Sequence, residues 1–271
     1  MSKTWLITGT STGLGKIMTE KLLREGDRVF ATLRNTELLG ELQKKYPGQL
    51  IPAHLELTDR EEIQSTVDRA FREFGKIDVV VSNAGYGLFG AAEELDDDMI
   101  CHQIETNLLG SIRLIKAVIP YLRKQAEGHI IQVSSEGGQI AYPGFSLYHA
   151  TKWGIEGFVE SVIQELRPFN IYFTLSEPGP TATSFGASVK QAEVMEEYKG
   201  TPVQEVRDLL ENGFGPLGDA GKVADAMIAC ARKKNPPLRL ALGKIAYDHI
   251  EEALQERLRH IYAQKDIAYD C

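Results

Sequence analysis

The order of patterns along the chain predicts an α/β fold: a doubly wound parallel β-sheet with helices on both faces, in a single domain over residues 1–271. Three observations carry this expectation. Short apolar runs alternate with longer stretches of helical periodicity along the whole sequence. The run Ile77–Val81 is apolar on both faces, as a buried parallel strand is. No internal repeat, low-complexity tract or linker divides the chain, and strict alternation implies right-handed crossovers.

Trp5-Leu6-Ile7 reads as the first strand. Gly13–Glu25 follows as a helix, with Leu14, Ile17, Met18 and Leu22 at helical spacing and Gly26 as a stop. Arg28–Leu33 is the second strand, and Thr36–Tyr46 a short helix ending before Pro47-Gly48. Leu50–Leu57 is the third strand, its start weakened by Pro52. Asp59–Phe74 is a helix, capped by Thr58 or Asp59 and closed by Gly75. After the fourth strand, Ile77–Val81, a long helix runs from Asp97 to Arg123, with Asp96, Asp97 and Asp98 at its positive end. His129–Val133 is strand five, Ser146–Leu166 a second long helix ended by Pro168, and Ile171–Leu175 strand six. Pro178–Gly221 is rich in Gly, Pro, Ser and Glu and shows only short helical patterns. Lys222–Arg232 is a helix, Leu238–Leu242 the last strand and Ala246–Ile261 the terminal helix.

Lys plus Arg number 30 against 38 Asp plus Glu, a formal net charge of −8. Such a balance argues against a nucleic-acid partner, which needs a basic face, but leaves room for one basic pocket around a phosphorylated cofactor. Hydrophobic residues at 43% supply a sizeable core. Cys101, Cys230 and Cys271 stand far apart with no metal-site spacing, so free thiols in a reducing compartment and no metal are expected. The long uncharged stretch Val79–Ala92 is interrupted by Ser82, Asn83 and three glycines and falls short of the roughly 18 apolar residues of a membrane span. Met1-Ser2-Lys3-Thr4 shows no signal-peptide anatomy. The expected location is cytoplasmic, with no membrane partner.

Strand one runs into Thr8-Gly9-Thr10-Ser11-Thr12-Gly13-Leu14-Gly15 and then a helix. A helix start offers unpaired N–H groups and a positive dipole end, and glycines let phosphates approach the backbone. Gly9, Ser11, Thr12, Gly13, Leu14 and Gly15 are therefore candidates to hold a dinucleotide pyrophosphate; a plain tight turn is the alternative. Strand two ends in Ala31-Thr32-Leu33-Arg34-Asn35. An NAD enzyme typically places an acid here to accept from the ribose 2′-hydroxyl, whereas Arg34 can fork onto a 2′-phosphate. NADP(H) is favoured over NAD(H) on that ground. The alternative is a solvated loop arginine, and Thr12 supplies no second cation.

Tyr148 and Lys152 form the one Tyr-x3-Lys pair among ten tyrosines. Four residues turn a helix by about 400°, so both side chains share a face. A phenol with a free pKa of roughly 10 is a poor base at neutral pH, and a nearby ammonium is expected to lower that value. The pair is a candidate general acid/base for an alcohol or carbonyl. Ser135 ends strand five, where it either polarises a substrate carbonyl or caps the strand end. Asn107 lies inside the first long helix, either as a satisfied core amide or at a kink whose carbonyl holds water.

Thr8-Gly9-x3-Gly13-x-Gly15, Ser82-Asn83-Ala84-Gly85, Asn107, Ser135, Tyr148-x3-Lys152 and Pro178-Gly179-Pro180-Thr181-Ala182-Thr183 stand in one order over most of the chain. Together they resemble the short-chain dehydrogenase/reductase family, in its common short branch with a Rossmann-type sheet. The wording of Ser134-Ser135-Glu136-Gly137-Gly138 and Glu177-Pro178-Gly179-Pro180 is most similar to the subgroup related to 17β-hydroxysteroid dehydrogenases.

The resemblance implies roles. Asn83, Ala84 and Gly85 would lie beside the adenosine ribose, Glu56 and Leu57 near the adenine, and Pro178, Gly179, Thr181 and Thr183 at the nicotinamide carboxamide and its phosphate. Lys152 would also hold the nicotinamide ribose, and Asn107 a water linking Lys152 to solvent. Tyr148 would protonate an alkoxide formed by hydride transfer, with Ser135 on the same oxygen. Two positions depart from the family pattern: Ser82 stands where Asn is common, and Glu56 where Asp is common.

The substrate wall is expected from Tyr86–Phe89, Gly138–Phe145 and a loop or lid over 178–221. Within that segment Phe185, Met195, Tyr198 and Phe214 either line a pocket or anchor the loop, and a short amphipathic helix is expected between Gly186 and Gly200. The reading is an NADP(H)-dependent oxidoreductase acting on a small-molecule carbonyl or secondary alcohol, a homodimer or homotetramer by family likeness. The alternatives are an NADP-binding regulator without catalysis, and an isomerase or dehydratase with retained cofactor.

Overall fold

The apolar runs of the sequence become strands. The structure, a computed structural model, describes residues 2–213 and 217–271. In chain order the strands are β1 (Thr4–Thr8), β2 (Arg28–Leu33), β3 (Leu50–His54), β4 (Val79–Ser82), β5 (Leu88–Phe89), β6 (Gly128–Val133), β7 (Ile171–Pro178), β8 (Lys190–Gln191) and β9 (Arg239–Leu242). Seven form one sheet in the order β3-β2-β1-β4-β6-β7-β9 with all pairs parallel, while β5 and β8 pair separately. The chain moves outward from β1 to β3, then returns to place β4 on the other side of β1. The C-terminal ends of β1 and β4 thus lie side by side at the switch point where open α/β sheets take ligands.

The helices are α1 (Gly13–Arg24), α2 (Gly40–Lys45), α3 (Arg60–Phe74), α4 (Asp97–Ile104), α5 (Gly110–Gln125), α6 (Ser146–Leu166), α7 (Pro202–Asn212), α8 (Ala220–Ala231), α9 (Lys244–Ala263) and α10 (Lys265–Asp270). Successive strand residues face opposite ways and build two cores. Leu6, Phe30, Val80 and Ile130 pack against Val67 of α3, Ile115 of α5 and Ile155 of α6. Trp5, Ile7, Val79 and Ile131 pack against Met18 and Leu22 of α1 and Met227 of α8. The doubly wound sheet covered on both faces is the architecture that the alternation predicts.

Local differences have local causes. β3 stops at His54 because the chain turns at once toward α3, with Asp59 N–H donating to the Glu56 carbonyl at 3.1 Å and the Asp59 side chain capping α3. Pro52 stays within β3, which is an edge strand where a missing N–H is tolerated. The expected helix Thr36–Tyr46 begins as a 3₁₀ turn, Thr36–Leu39, before α2. The helix expected from Asp97 to Arg123 is interrupted by a π turn, Glu105–Leu109, centred on Asn107.

The amphipathic helix expected between Gly186 and Gly200 is replaced by two 3₁₀ turns on either side of β8. Edge pairing wins there: Lys190 N–H donates to Gly87 O and Ala192 N–H to Phe89 O, both at 2.9 Å. The helix of this segment is α7, started by Pro202 in its first turn, where the missing N–H costs nothing. Phe214, expected to supply apolar material to the segment, lies outside the described residues.

Candidate active site

Three of the four predicted catalytic residues converge where β6 ends and α6 begins. Tyr148 and Lys152 lie one turn apart on α6, and both are buried. Lys152 Nζ stands 5.5 Å from the Tyr148 ring centroid and donates to the Val133 carbonyl at 3.0 Å. Ser135 follows β6; its Oγ accepts from Gly137 N–H at 3.1 Å, and its hydroxyl also meets the Tyr148 phenol. Ser135 is therefore both a strand-end cap and a neighbour of Tyr148.

Asn107 is buried in the π turn. Its Nδ2 donates to Tyr86 O at 2.8 Å and its Oδ1 accepts from Tyr86 N–H at 3.1 Å, so the amide pins the backbone beyond β4. Of the two readings of Asn107, the structure shows the satisfied core amide, and it sits at a helix irregularity.

Burial pushes the Tyr148 phenol up to about 12, against the hydrogen bond from Ser135. Burial holds Lys152 down to about 8, against the carboxylate of Glu156. The direction is upward, not the downward one expected beside an ammonium, because charging a buried ring is costly. Tyr148 stands as a proton donor at neutral pH.

At the glycine turn, close packing explains two glycines and a positive φ the third. A Cβ on Gly9 would stand 2.8 Å from the Cα of Ala84, and one on Gly15 would stand 2.4 Å from Gly9 O. Asn83 Nδ2 donates to Thr8 O and Gly9 O at 2.8 and 3.1 Å, which ties the ends of β1 and β4 together. Thr8 is a partner that the candidate set missed: its Oγ1 accepts from Asn83 and Ala84 N–H at 3.0 and 3.1 Å. Gly13 has a φ of +56°, and a Cβ there would come within 3.6 Å of Thr183. Ser11 and Leu14 are half-buried and Thr12 is exposed.

The start of α1 suits an anion. Thr12 makes no side-chain cap, and the first turn holds no acid. Thr32 O accepts from Gly9 and Thr10 N–H at 2.9 and 3.1 Å, so the turn docks on the end of β2 beside exposed Arg34. Among the described residues Arg34 makes no ion pair. A dinucleotide pyrophosphate fits this uncapped helix start.

Beyond β7, Gly179 N–H donates to Leu242 O at 3.1 Å and Thr181 Oγ1 to Gly179 O at 2.8 Å, which sets the bend that carries Thr183 over Gly13. Pro178 is the last residue of β7, and Gly85 packs against the Asn107 amide. Glu56 is committed to its own turn, accepting from Thr58 N–H at 3.3 Å, and the Leu57 side chain lies in the core.

Over Tyr148 lies an apolar wall of Phe89, Phe145, Tyr142, Val189, Val203 and Val206. The Phe185 ring lies 5.8 Å from that of Tyr148. Met195 and Tyr198 serve as anchors instead: Met195 N–H donates to Glu94 and Tyr198 OH to Glu93, at 3.0 and 2.9 Å. Sequence reasoning missed the buried pair Glu94–Arg207, at 2.8 Å, which fastens α7 to the loop after β5. Its partners are 113 residues apart, and neither stands in a motif.

Among the described residues no group of three or more His, Cys, Asp and Glu could hold a metal ion, and no helix is long and apolar enough to cross a membrane.

The family model for short chain dehydrogenase matches residues 3–194. The chain is 38% identical over 257 residues to oxidoreductase BOA17 of Botryotinia fuckeliana, covering 94% of each protein. A crystal structure of a short-chain dehydrogenase from Streptomyces avermitilis superposes with a TM-score of 0.92 at 32% identity, covering 99% of this chain and 98% of that one. An alcohol dehydrogenase of the archaeon Thermococcus sibiricus, complexed with 5-hydroxy-NADP, gives a TM-score of 0.72 at 25% identity, with 89% and 96% covered.

Proposed function

The chain belongs to the short-chain dehydrogenase family of oxidoreductases, and on that premise we propose that it interconverts a carbonyl and a secondary alcohol with NADP(H). The observation that carries the reading is the convergence of Tyr148, Ser135 and Lys152 beneath an apolar wall at the C-terminal end of the sheet. When bound, the reduced nicotinamide supplies the hydride.

Tyr148 gives its phenolic proton to the alkoxide oxygen. Ser135 donates a hydrogen bond to that oxygen, stabilising charge that develops during the reaction. Lys152 holds a positive charge against the ring face and keeps phenolate accessible during the transfer. The uncapped start of α1 and Thr183 hold the pyrophosphate, and Arg34 meets the 2′-phosphate. Phe145, Phe185 and Phe89 favour a substrate with an apolar body and exclude water from Tyr148. Residues 178–221 act as the substrate loop. A homodimer or homotetramer rests on family likeness alone.

The test is a screen of ketones, aldehydes and secondary alcohols that follows the absorbance of the reduced nicotinamide. Turnover of a carbonyl is the expected result. No turnover of any compound would point to a cofactor-binding regulator, and cofactor retained through dilution would point to an isomerase or dehydratase.

A further inference from the structure

Glu156 lies on α6 one turn beyond Lys152 and is buried, a rare place for a carboxylate. Its oxygens reach around the turn that carries Ser135. Oε1 accepts from Ser134 Oγ at 2.5 Å, and Oε2 accepts from the side-chain amide of Gln139. Gly138 leaves the room for this: a Cβ there would stand 1.9 Å from Glu156 Oε1. The carboxylate therefore grips the chain on both sides of Ser135.

The same Oε2 also meets Arg239 of β9 at 2.5 Å, and that guanidinium holds Glu177 at 2.5 Å and Glu160 at 2.6 Å. One cation thus serves three carboxylates. Burial and the neighbouring Glu156 push Glu177 up to about 7, so Glu177 is only partly ionised near neutrality. A net negative charge remains one helical turn from the Lys152 ammonium. The other titratable groups nearby have their own partners. Glu136 meets His249 of α9 at 3.0 Å, and His149 is fixed between Gly137 O and Tyr142 N–H at 2.9 and 3.2 Å.

We propose that Glu156 is a positioning residue for the reaction: it fixes the Ser134–Gln139 turn that presents Ser135, and its charge holds the buried ammonium of Lys152. This rests on the reading of Ser135, Tyr148 and Lys152 given above. The two effects act on two sides of one phenol, through its hydrogen-bond partner and through its neighbouring cation.

The test uses the full chain with NADPH and a carbonyl that the wild type reduces. Two quantities are read, kcat against pH and the titration of the Lys152 ammonium by ¹⁵N-lysine NMR, assigned with Lys152→Arg. In Glu156→Gln, Lys152 should titrate about one pH unit lower, with the alkaline limb of kcat moving with it. Its kcat at neutral pH should fall roughly tenfold. Glu156→Asp keeps the charge but is too short to grip both Ser134 and Gln139. In it kcat should fall while the lysine titration stays near wild type, and it stands alone if the Gln variant does not fold.

An unmoved Lys152 titration in Glu156→Gln, or wild-type kcat in either variant, overturns the proposal. A wild type that reduces no carbonyl overturns the reading of the site instead, and the Lys152 titration then still decides whether Glu156 holds its charge.

Discussion

Lys152 directs its ammonium at the Val133 carbonyl, 3.0 Å away, while lying 5.5 Å from the centroid of the Tyr148 ring. The lysine is thereby fixed to the end of β6, and in the proposed reaction it acts on the phenol through charge. Among Ser135, Tyr148 and Lys152, it is Lys152, held at about 8 by burial, whose charge changes first as pH rises above neutrality.

For carbonyl reduction the phenol must carry its proton and the lysine its charge. Tyr148, pushed to about 12, keeps its proton through the working range. kcat for reduction should therefore be level below about pH 8 and fall above it as Lys152 deprotonates. In Lys152→Arg the remaining activity should lose that limb, because a guanidinium stays charged. A limb still present in that variant would assign the titration to another group.

The proposed cofactor preference rests on Arg34 at the end of β2. Arg34 should favour NADPH over NADH, and Leu33→Asp with Arg34→Ala should reverse the preference by about tenfold or more in kcat/KM. Equal use of both cofactors by the unmodified protein would remove Arg34 from its proposed role.

The sheet was legible in the sequence because parallel strands buried on both faces, such as Val79–Val81, leave runs that little else explains. The Tyr148–Lys152 pair was legible because helical spacing alone places both on one face. The helix in the loop segment was misplaced: the alternation of Val189, Val194, Met195 and Tyr198 with charged residues suits a helix, but tertiary pairing of β8 with β5 overrides it. Glu156 and Arg207 were missed, and Thr8 was read only as part of the glycine motif, because their meaning lies in partners distant in sequence, Ser134, Glu94 and Ala84. A signal for Glu156 did exist, as a charge on the otherwise buried face of α6 that also carries Lys152.

The Glu94–Arg207 pair should act as the fastening of the substrate loop. Arg207→Met leaves Glu94 buried without its cation and should cost about 3–5 kcal/mol in chemical unfolding. Hydrogen exchange should quicken at Lys190, Ala192 and Met195, whose amides are held in the same loop. In the unmodified protein NADPH plus a carbonyl substrate should slow exchange over residues Phe185–Gly200. Equal exchange in free and bound protein would mark a rigid insertion without a part in binding.

His129 gives the fold an acid limit. Burial holds its imidazole down to about 4, against an ordinary value of 6.5, and its Nε2 meets Thr174 Oγ1 at 2.9 Å. The unfolded chain binds the proton more readily, so stability present above pH 6.5 is lost as pH falls toward 4. The loss is about 3 kcal/mol from this group. Denaturant midpoints between those pH values should flatten in His129→Gln; an unchanged slope would place the effect in other residues.

In the proposed reaction Tyr148 protonates an oxygen whose carbon has received hydride from the nicotinamide. This step is tested most directly by incubating the protein with NADPH deuterated at the transferring position and a carbonyl found by screening, then locating the deuterium by mass spectrometry. Deuterium should appear on the carbinol carbon. Its rate of appearance should fall by roughly 10²-fold or more in Tyr148→Phe, while NADPH still binds with near wild-type affinity. No deuterium in any product, or equal rates in the two proteins, would contradict the account.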